Sequence, residues 1–232
     1  MGFNNENAQQ AGRPWLVFDI ETGPIPDVAV YLTDPIEAPA NYKDPLKIAA
    51  YVAEKRQEQI ARAALDLDLC EVMAIGIGLP LANYVQTRTT TSEADMIRGF
   101  WRFVTNLYRE GGVLVGFNIL AFDLPVLLRR SLYLGLETPS INMDRYRHDG
   151  VIDVLDVLTF TGRHKMRSLG FYCRRFGVPY DDSVKGEDVP QLVAESKWDA
   201  VTAHVRGDVA ATSALAHRMG VIYVPEPEQV IA

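Results

Sequence analysis

Two acids stand at i and i+2 in the segment Trp15-Leu16-Val17-Phe18-Asp19-Ile20-Glu21-Thr22-Gly23-Pro24. The segment reads as an apolar strand that closes on a Gly-Pro turn. Successive strand side chains alternate faces, so Asp19 and Glu21 share one face and Phe18 and Ile20 take the other. Neighbouring carboxylates repel and are costly to keep ionised unless a cation lies between them. A solvated sheet edge carries such pairs too, so their meaning depends on what the rest of the chain brings to them.

The chain brings two more acids in suitable settings. In Gly116-Phe117-Asn118-Ile119-Leu120-Ala121-Phe122-Asp123-Leu124-Pro125 a buried strand delivers Asn118 and then Asp123 at the mouth of a helix. Asp123 is there either an N-cap or a carboxylate at the carboxyl end of a strand, where open sheets keep their ligands. In His204-Val205-Arg206-Gly207-Asp208 the helical spacing puts His204 and Asp208 on one face. Gly207 costs about 1 kcal/mol against Ala inside a helix, which suggests the close approach of another backbone or of a substrate. Four carboxylates with no cysteine and few histidines suit Mg²⁺ or Mn²⁺ rather than zinc. Two such ions about 3.5–4 Å apart form a clamp for in-line phosphodiester hydrolysis. A histidine facing them is placed to orient or deprotonate the water.

These residues must be carried by ordered elements. The first strand is expected over about Trp15 to Ile20, followed by Pro-punctuated, irregular chain from Ile25 to Ala40. Asp44-Pro45 reads as the start of a helix reaching about Ala64, with Asp44 as N-cap and Pro45 at the first helical position. Its inner face would be Leu46, Ala49, Val52, Ala53, Ile60 and Ala64. Strands are expected at Glu71 to Leu79, Asn83 to Thr90, Val113 to Phe117 and Val151 to Val154. Helices are expected after Ser92, at about Leu124 to Leu134, Met166 to Phe176 and Ser196 to Met219. Three consecutive strands suggest a meander, and the later alternation suggests parallel additions. The expected fold is α/β, a mixed five-stranded sheet flanked by helices, with a helical insertion (about 25–69) after the first strand. A polar N-terminal tail, taken as disordered, is expected over 1–13 and a C-terminal tail over 221–232, around one domain of 14–220.

Composition fits one elaborated domain of 232 residues, 48% hydrophobic and 23% charged. No apolar window is long enough for a membrane span, and the polar N-terminus lacks a signal core, so a cytoplasmic location is expected. Cys70 and Cys173 match no zinc or CxxC spacing and are expected to be reduced, buried thiols. The net charge of -7 argues against a broad electrostatic nucleic-acid binder. A local basic track remains: Arg163, His164, Lys165, Arg167, Arg174 and Arg175 form the densest cluster. It is either a solvated helix face or a phosphate track, with Lys165 and Arg167 the candidates. Phe117, Phe122, Phe171 and Tyr172 either stack bases or pack in the core.

Taken together, Asp19-x-Glu21, then Asn118-x-x-x-Phe122-Asp123-x-Pro125, then His204 four residues before Asp208 resemble the three exonuclease motifs of the DEDD (DnaQ-like) 3′-5′ exonucleases. The second motif most resembles the proofreading domain of family B DNA polymerases and its stand-alone relatives. The resemblance spans about Trp15 to Met219. It implies a ribonuclease H-like fold and a two-metal 3′-5′ exonuclease acting on the 3′ end of single-stranded or frayed DNA, releasing nucleoside 5′-monophosphates. By position, Asp19, Glu21 and Asp208 would hold one metal, Asp19 would bridge to a second, and Asp123 would reach that second ion. Asn118 would support the substrate or the motif. Family B-like members carry a tyrosine where this chain has His204, and other members carry their histidine one residue further from the aspartate. An exoribonuclease with the same site, or a non-catalytic nucleic-acid-binding module on the same fold, are the alternatives.

Overall fold

The computed structural model describes residues 13–144 and 149–223; the expected tails lie outside these residues apart from Arg13 and 221–223. At the centre of the sheet is β1, Trp15–Pro24. It pairs antiparallel with β2, Cys70–Leu79, which pairs antiparallel with β3, Ala82–Thr87. On its other side β1 runs parallel to β4, Val113–Gly116, and β4 parallel to β5, Val151–Asp153. The order β3-β2-β1-β4-β5 is the expected five-stranded mixed sheet. Strand β1 is longer than its apolar run, because β2 keeps pairing with it as far as Pro24, past a bulge between Glu21 and Thr22. Strand β4 is shorter, and its pairing with β1 ends at Val17 opposite Val115.

The α-helices are α1 Pro45–Arg62, α2 Glu93–Arg109, α3 Asp123–Tyr133, α4 Val154–Thr159, α5 Leu169–Phe176, α6 Val189–Ala194 and α7 Trp198–Arg218. The short α4 and α6 carry too few residues to show a period. Sequence signals at three helix starts are met by side-chain caps: Asp44 accepts from Leu46 N, Ser92 from Asp95 N and Ser168 from Phe171 N. The Ser168 cap makes α5 begin at Leu169 rather than Met166. Asp123 is not an N-cap: it lies within the first turn of α3 and Phe122 precedes it.

Alternation along β1 divides the interior. Leu16, Phe18 and Ile20 enter a core with Ile97 and Phe100 of α2 and Leu127 of α3. Phe18 and Phe100 are fully buried and pack ring on ring at 4.8 Å, a contact class that adds to the roughly 1.5–3 kcal/mol of burying each side chain. Trp15 and Val17 face the opposite way, into a core with Cys173 of α5 and Leu215 of α7. Val221 and Ile222 bury in that same core. Both cysteines are buried and free, as expected, and burial pushes their thiols up to about 12 for Cys70 and about 11 for Cys173. Neither is a nucleophile at neutral pH. No helix among the described residues is long and apolar enough to cross a membrane.

Helix α7 lies close against β2 because two strand positions have no side chain. A Cβ at Gly76 would meet Val205 Cγ1 at 2.4 Å, and one at Gly78 would meet Val209 Cγ1 at 2.7 Å. Those two valines follow His204 and Asp208 in the chain, so the glycines set how near that pair comes to the sheet. Gly207 itself meets nothing within 4 Å, so no neighbouring backbone explains it.

The insertion corrects one expectation. Helix α1 has no buried residue, and Leu46 of the supposed inner face is 80% exposed. Ala49 and Ala53 of that face offer little area to bury, and Val52 and Ile60 are only half-buried. The segment is held at points instead. Arg56 donates to the carbonyls of Leu32 and Asp34. Buried Ala63 and Ala64 follow α1, and Thr22 Oγ1 donates to Ala64 O at 2.5 Å. That hydrogen bond pins the end of the insertion beside Glu21.

Between the sheet and α3, Arg130 grips Glu93 through two hydrogen bonds of 2.8 and 2.7 Å, and Glu93 also accepts from Val72 N at 2.9 Å. Arg130→Met would leave the Glu93 carboxylate buried with only the backbone donor. We expect a loss of about 3–5 kcal/mol, read by urea unfolding; a loss under 1 kcal/mol would mean that solvent reaches the pair.

Candidate active site

Three separated stretches of chain meet at the carboxyl end of β1. Asp19 and Glu21 project from the same face as Trp15 and Val17, but beyond the point where the apolar core ends. Past the last β1–β4 pair, the Ile20 N–H has lost its strand partner on that side and donates to Asp123 Oδ1 at 3.1 Å. This bond carries Asp123, from the first turn of α3, into the same space. His204 and Asp208, one turn apart on α7, close it from the opposite side. All five side chains line one cleft of about 690 Å³.

His204 links two of the acids. Its Nε2 is 3.2 Å from Glu21 Oε1 and its Nδ1 3.7 Å from Asp208 Oδ1. Burial disfavours the charged imidazole, but the hydrogen bond to Glu21 and the charges of Glu21 and Asp208 outweigh it and raise the pKa. The acids are all raised too. Burial is the largest cause for Asp19, followed by repulsion from Asp123, Glu21 and Asp208. Burial raises Glu21 against the opposing pull of His204, and raises Asp208 likewise. Burial pushes Asp123 up to about 7 despite the Ile20 N–H that favours its charged form. Among the described ion pairs, Glu21 and Asp208 engage only His204, and Asp19 and Asp123 engage no cation. Their donors are hard oxygens, a set that fits Mg²⁺ or Mn²⁺ in kind. They are not gathered into a ready-made chelate: among the described residues no three His, Cys, Asp or Glu side chains form a group that could hold an ion as they stand. Asp123 is turned to the backbone and Glu21 to His204.

Of the other candidates, Phe122 and Phe117 line the acid cleft. Asn118 and Lys165 do not. They line a neighbouring cavity of about 580 Å³, on the far side of the 117–122 loop. Arg167 is exposed and lies over the Phe171 ring at 5.1 Å. Asn118 has φ 65, a left-handed conformation that asparagine tolerates better than most residues.

Five residues were not singled out from the sequence. Tyr180 lines the cleft with its phenol toward Asp208, which raises its pKa after burial. Gly170 makes room for that ring, since a Cβ there would meet Tyr180 Cε1 at 2.8 Å. Arg62, from the end of α1, and Lys185 bring positive charge to the cleft wall. Asp153, outside the cleft, organises one rim: it accepts from Asn118 N at 2.9 Å and Leu120 N at 3.0 Å while capping α4. Only Asp153 had a local signal, an acid between a strand and a helix.

Residues 57–223 match the family described as "Predicted 3'-5' exonuclease related to the exonuclease domain of PolB". The matched stretch holds Asp123, His204 and Asp208 and begins downstream of Asp19 and Glu21. Among solved structures, the chain is similar to the family B DNA polymerase of the hyperthermophilic archaeon Pyrobaculum calidifontis, at 19% identity and a TM-score of 0.60 over 90% of this chain. That likeness shows a shared fold, the ribonuclease H-like one, and the chain spans 24% of the polymerase. No curated protein matches it.

A raised carboxyl pKa and a raised imidazole pKa both mean that the folded protein binds protons more tightly than the unfolded chain. Their stabilising contribution is therefore present at low pH and lost as pH rises through the folded values. For Asp123 the window runs from its ordinary 3.8 to about 7. Protein kept in chelator should melt several degrees lower at about pH 8 than at about pH 5.5, and Asp123→Asn should flatten the slope. A melting temperature that climbs with pH over this range would contradict the assignment.

Proposed function

The chain belongs to the family of predicted 3′-5′ exonucleases related to the exonuclease domain of PolB, and from that premise we propose that it is a metal-dependent 3′-5′ exonuclease acting on single-stranded or frayed DNA. The observation that carries the reading is the convergence of Asp19, Glu21, Asp123 and Asp208 with His204 in one cleft. Asp19, Glu21, Asp123 and Asp208 are the residues that would hold two Mg²⁺ or Mn²⁺ ions. Bound there, such ions supply charge neutralisation at the phosphate and activation of water. Hydrolysis of the terminal phosphodiester then releases a nucleoside 5′-monophosphate.

The remaining work falls to the protein's own groups. The Ile20 N–H holds Oδ1 of Asp123 and so fixes the carboxylate at the cleft wall. Burial and the neighbouring acids both raise Asp19; a cation held between the carboxylates would offset that repulsion and favour the ionised form. His204 sets Nε2 3.2 Å from Glu21 Oε1 and Nδ1 toward Asp208, and a side chain so placed can orient a water or exchange a proton with it. Phe117 and Phe122 give the terminal base an apolar wall beside the acids. Arg62 and Lys185 give the cleft cations that can meet a phosphate without pairing with the four acids.

Two variants test the assignment against a 3′- and 5′-labelled oligonucleotide panel, in DNA and RNA, with Mg²⁺, Mn²⁺ or chelator. Asp208→Asn should abolish hydrolysis while circular dichroism stays that of the parent; retained turnover would remove Asp208 from the site. His204→Ala should slow the chemical step by roughly 10²–10⁴-fold with metal affinity, read by calorimetry, little changed. Parent-like rates across the pH range would make His204 a bystander.

A further inference from the structure

The second cavity, beside the acid cleft, has no part in the chemistry described so far. It measures about 580 Å³ and is lined by Asn118, Thr161, His164, Lys165 and Met166, with Asp153 and Asp156 at its acidic side. That volume is within the roughly 300–1,000 Å³ of small-ligand pockets. The two cavities share their dividing walls. Phe117 and Phe122 face the acids while Asn118 and Ala121 of the same loop face the second cavity, and Ser168 and Met166 divide in the same way.

Its rim is built unlike an ordinary solvated face. Phe160, Thr161 and Gly162 follow one another with φ of 54, 58 and 73. A phenylalanine and a β-branched threonine rarely adopt that conformation, and strain of this kind gathers at functional sites. Buried Thr159 holds the turn in place: its Oγ1 donates to Leu155 O and accepts from Gly162 N, and its carbonyl accepts from His164 N. The result is an apolar and basic edge in open solvent. Phe160 is 58% exposed and packs edge-on against His164 at 5.5 Å, and Met166 is 62% exposed. Arg163, Lys165 and Arg167 are exposed beside them. In a chain of net charge -7, a polyanion is drawn to such a local excess of cations. Exposed rings interleaved with cations are what unpaired bases and their phosphates require.

We infer that this cavity is a subsite for single-stranded nucleic acid on the 5′ side of the bond being cut, with Phe160 and Met166 against bases and Lys165 on a phosphate. The inference rests on the exonuclease reading and adds to it a second contact region, engaged only by a strand long enough to fill both cavities. A duplex would present stacked bases that these side chains cannot reach.

The test compares a thymidine dinucleotide, a single-stranded octanucleotide and a blunt duplex, using the whole protein and the variants Phe160→Ala, Lys165→Ala and Met166→Ala. Met166 and Lys165 are exposed, so these two changes leave packing intact; thermal melts check Phe160. We expect kcat/KM on the octanucleotide to fall about tenfold further than on the dinucleotide in each variant. Equal losses on both substrates, or none, would overturn the subsite, as would a parent enzyme that degrades blunt duplex as fast as single strands. Failure of the exonuclease reading shows differently, as a parent that hydrolyses nothing. Fluorescence anisotropy with labelled octathymidylate then decides. Binding that Phe160→Ala and Met166→Ala weaken upholds the subsite, and binding they leave unchanged, or no binding, overturns it.

Discussion

Four carboxylates crowded at one end of a sheet repel one another, and burial makes each charge costlier still. The protein cannot relieve that repulsion with basic side chains without occupying the space where a substrate must sit. It holds the acids by position instead. Asp19 and Glu21 are fixed by a central strand, Asp208 by a helix drawn in over two glycines, and Asp123 by a backbone N–H left open on the strand itself. Among the described ion pairs His204 is the base that partly compensates them, and it spans two acids at once. The energetic debt of the site is thus carried by the best-packed parts of the fold.

Much of this was legible in the chain. The alternation around Asp19 and Glu21 and the i, i+4 spacing of His204 and Asp208 are local and periodic, and both placed their residues on the faces that the structure shows. The meander of β1 to β3 and the parallel addition of β4 and β5 followed from element order. What stayed hidden depends on contacts between distant segments. Tyr180 reaches Asp208 only because α5 carries a glycine where the ring must pass. Lys165 and Arg167 belong to the basic cluster that precedes α5, yet the loop that follows α4 turns them to another cavity and another ring. The pairing of Glu93 with Arg130 joins two helices whose separate amphipathic patterns gave no hint of a buried charge.

The insertion shows the same division between local and distant causes. Asp44 and Pro45 start α1 as their types dictate, since capping needs only neighbours. Burial of its apolar side needs a partner surface, and what lies against it covers Val52 and Ile60 only in part. Its far end, by contrast, is fastened to the acid-bearing strand by Thr22. Arg62 therefore reaches the cleft from a helix with no buried residue of its own, fastened beside Glu21.

Strand β4 is only four residues long, and this brevity has a consequence for how the site exists at all. Had it kept pace with β1, its carbonyls would have claimed the Ile20 N–H and its side chains would have filled the region where Asp123 now enters. The cleft is in effect a missing length of sheet, and its outline is drawn by hydrogen bonds that were never made. Strand length here sets working volume as well as stability, so an insertion that prolonged β4 could strengthen the fold while closing the cleft.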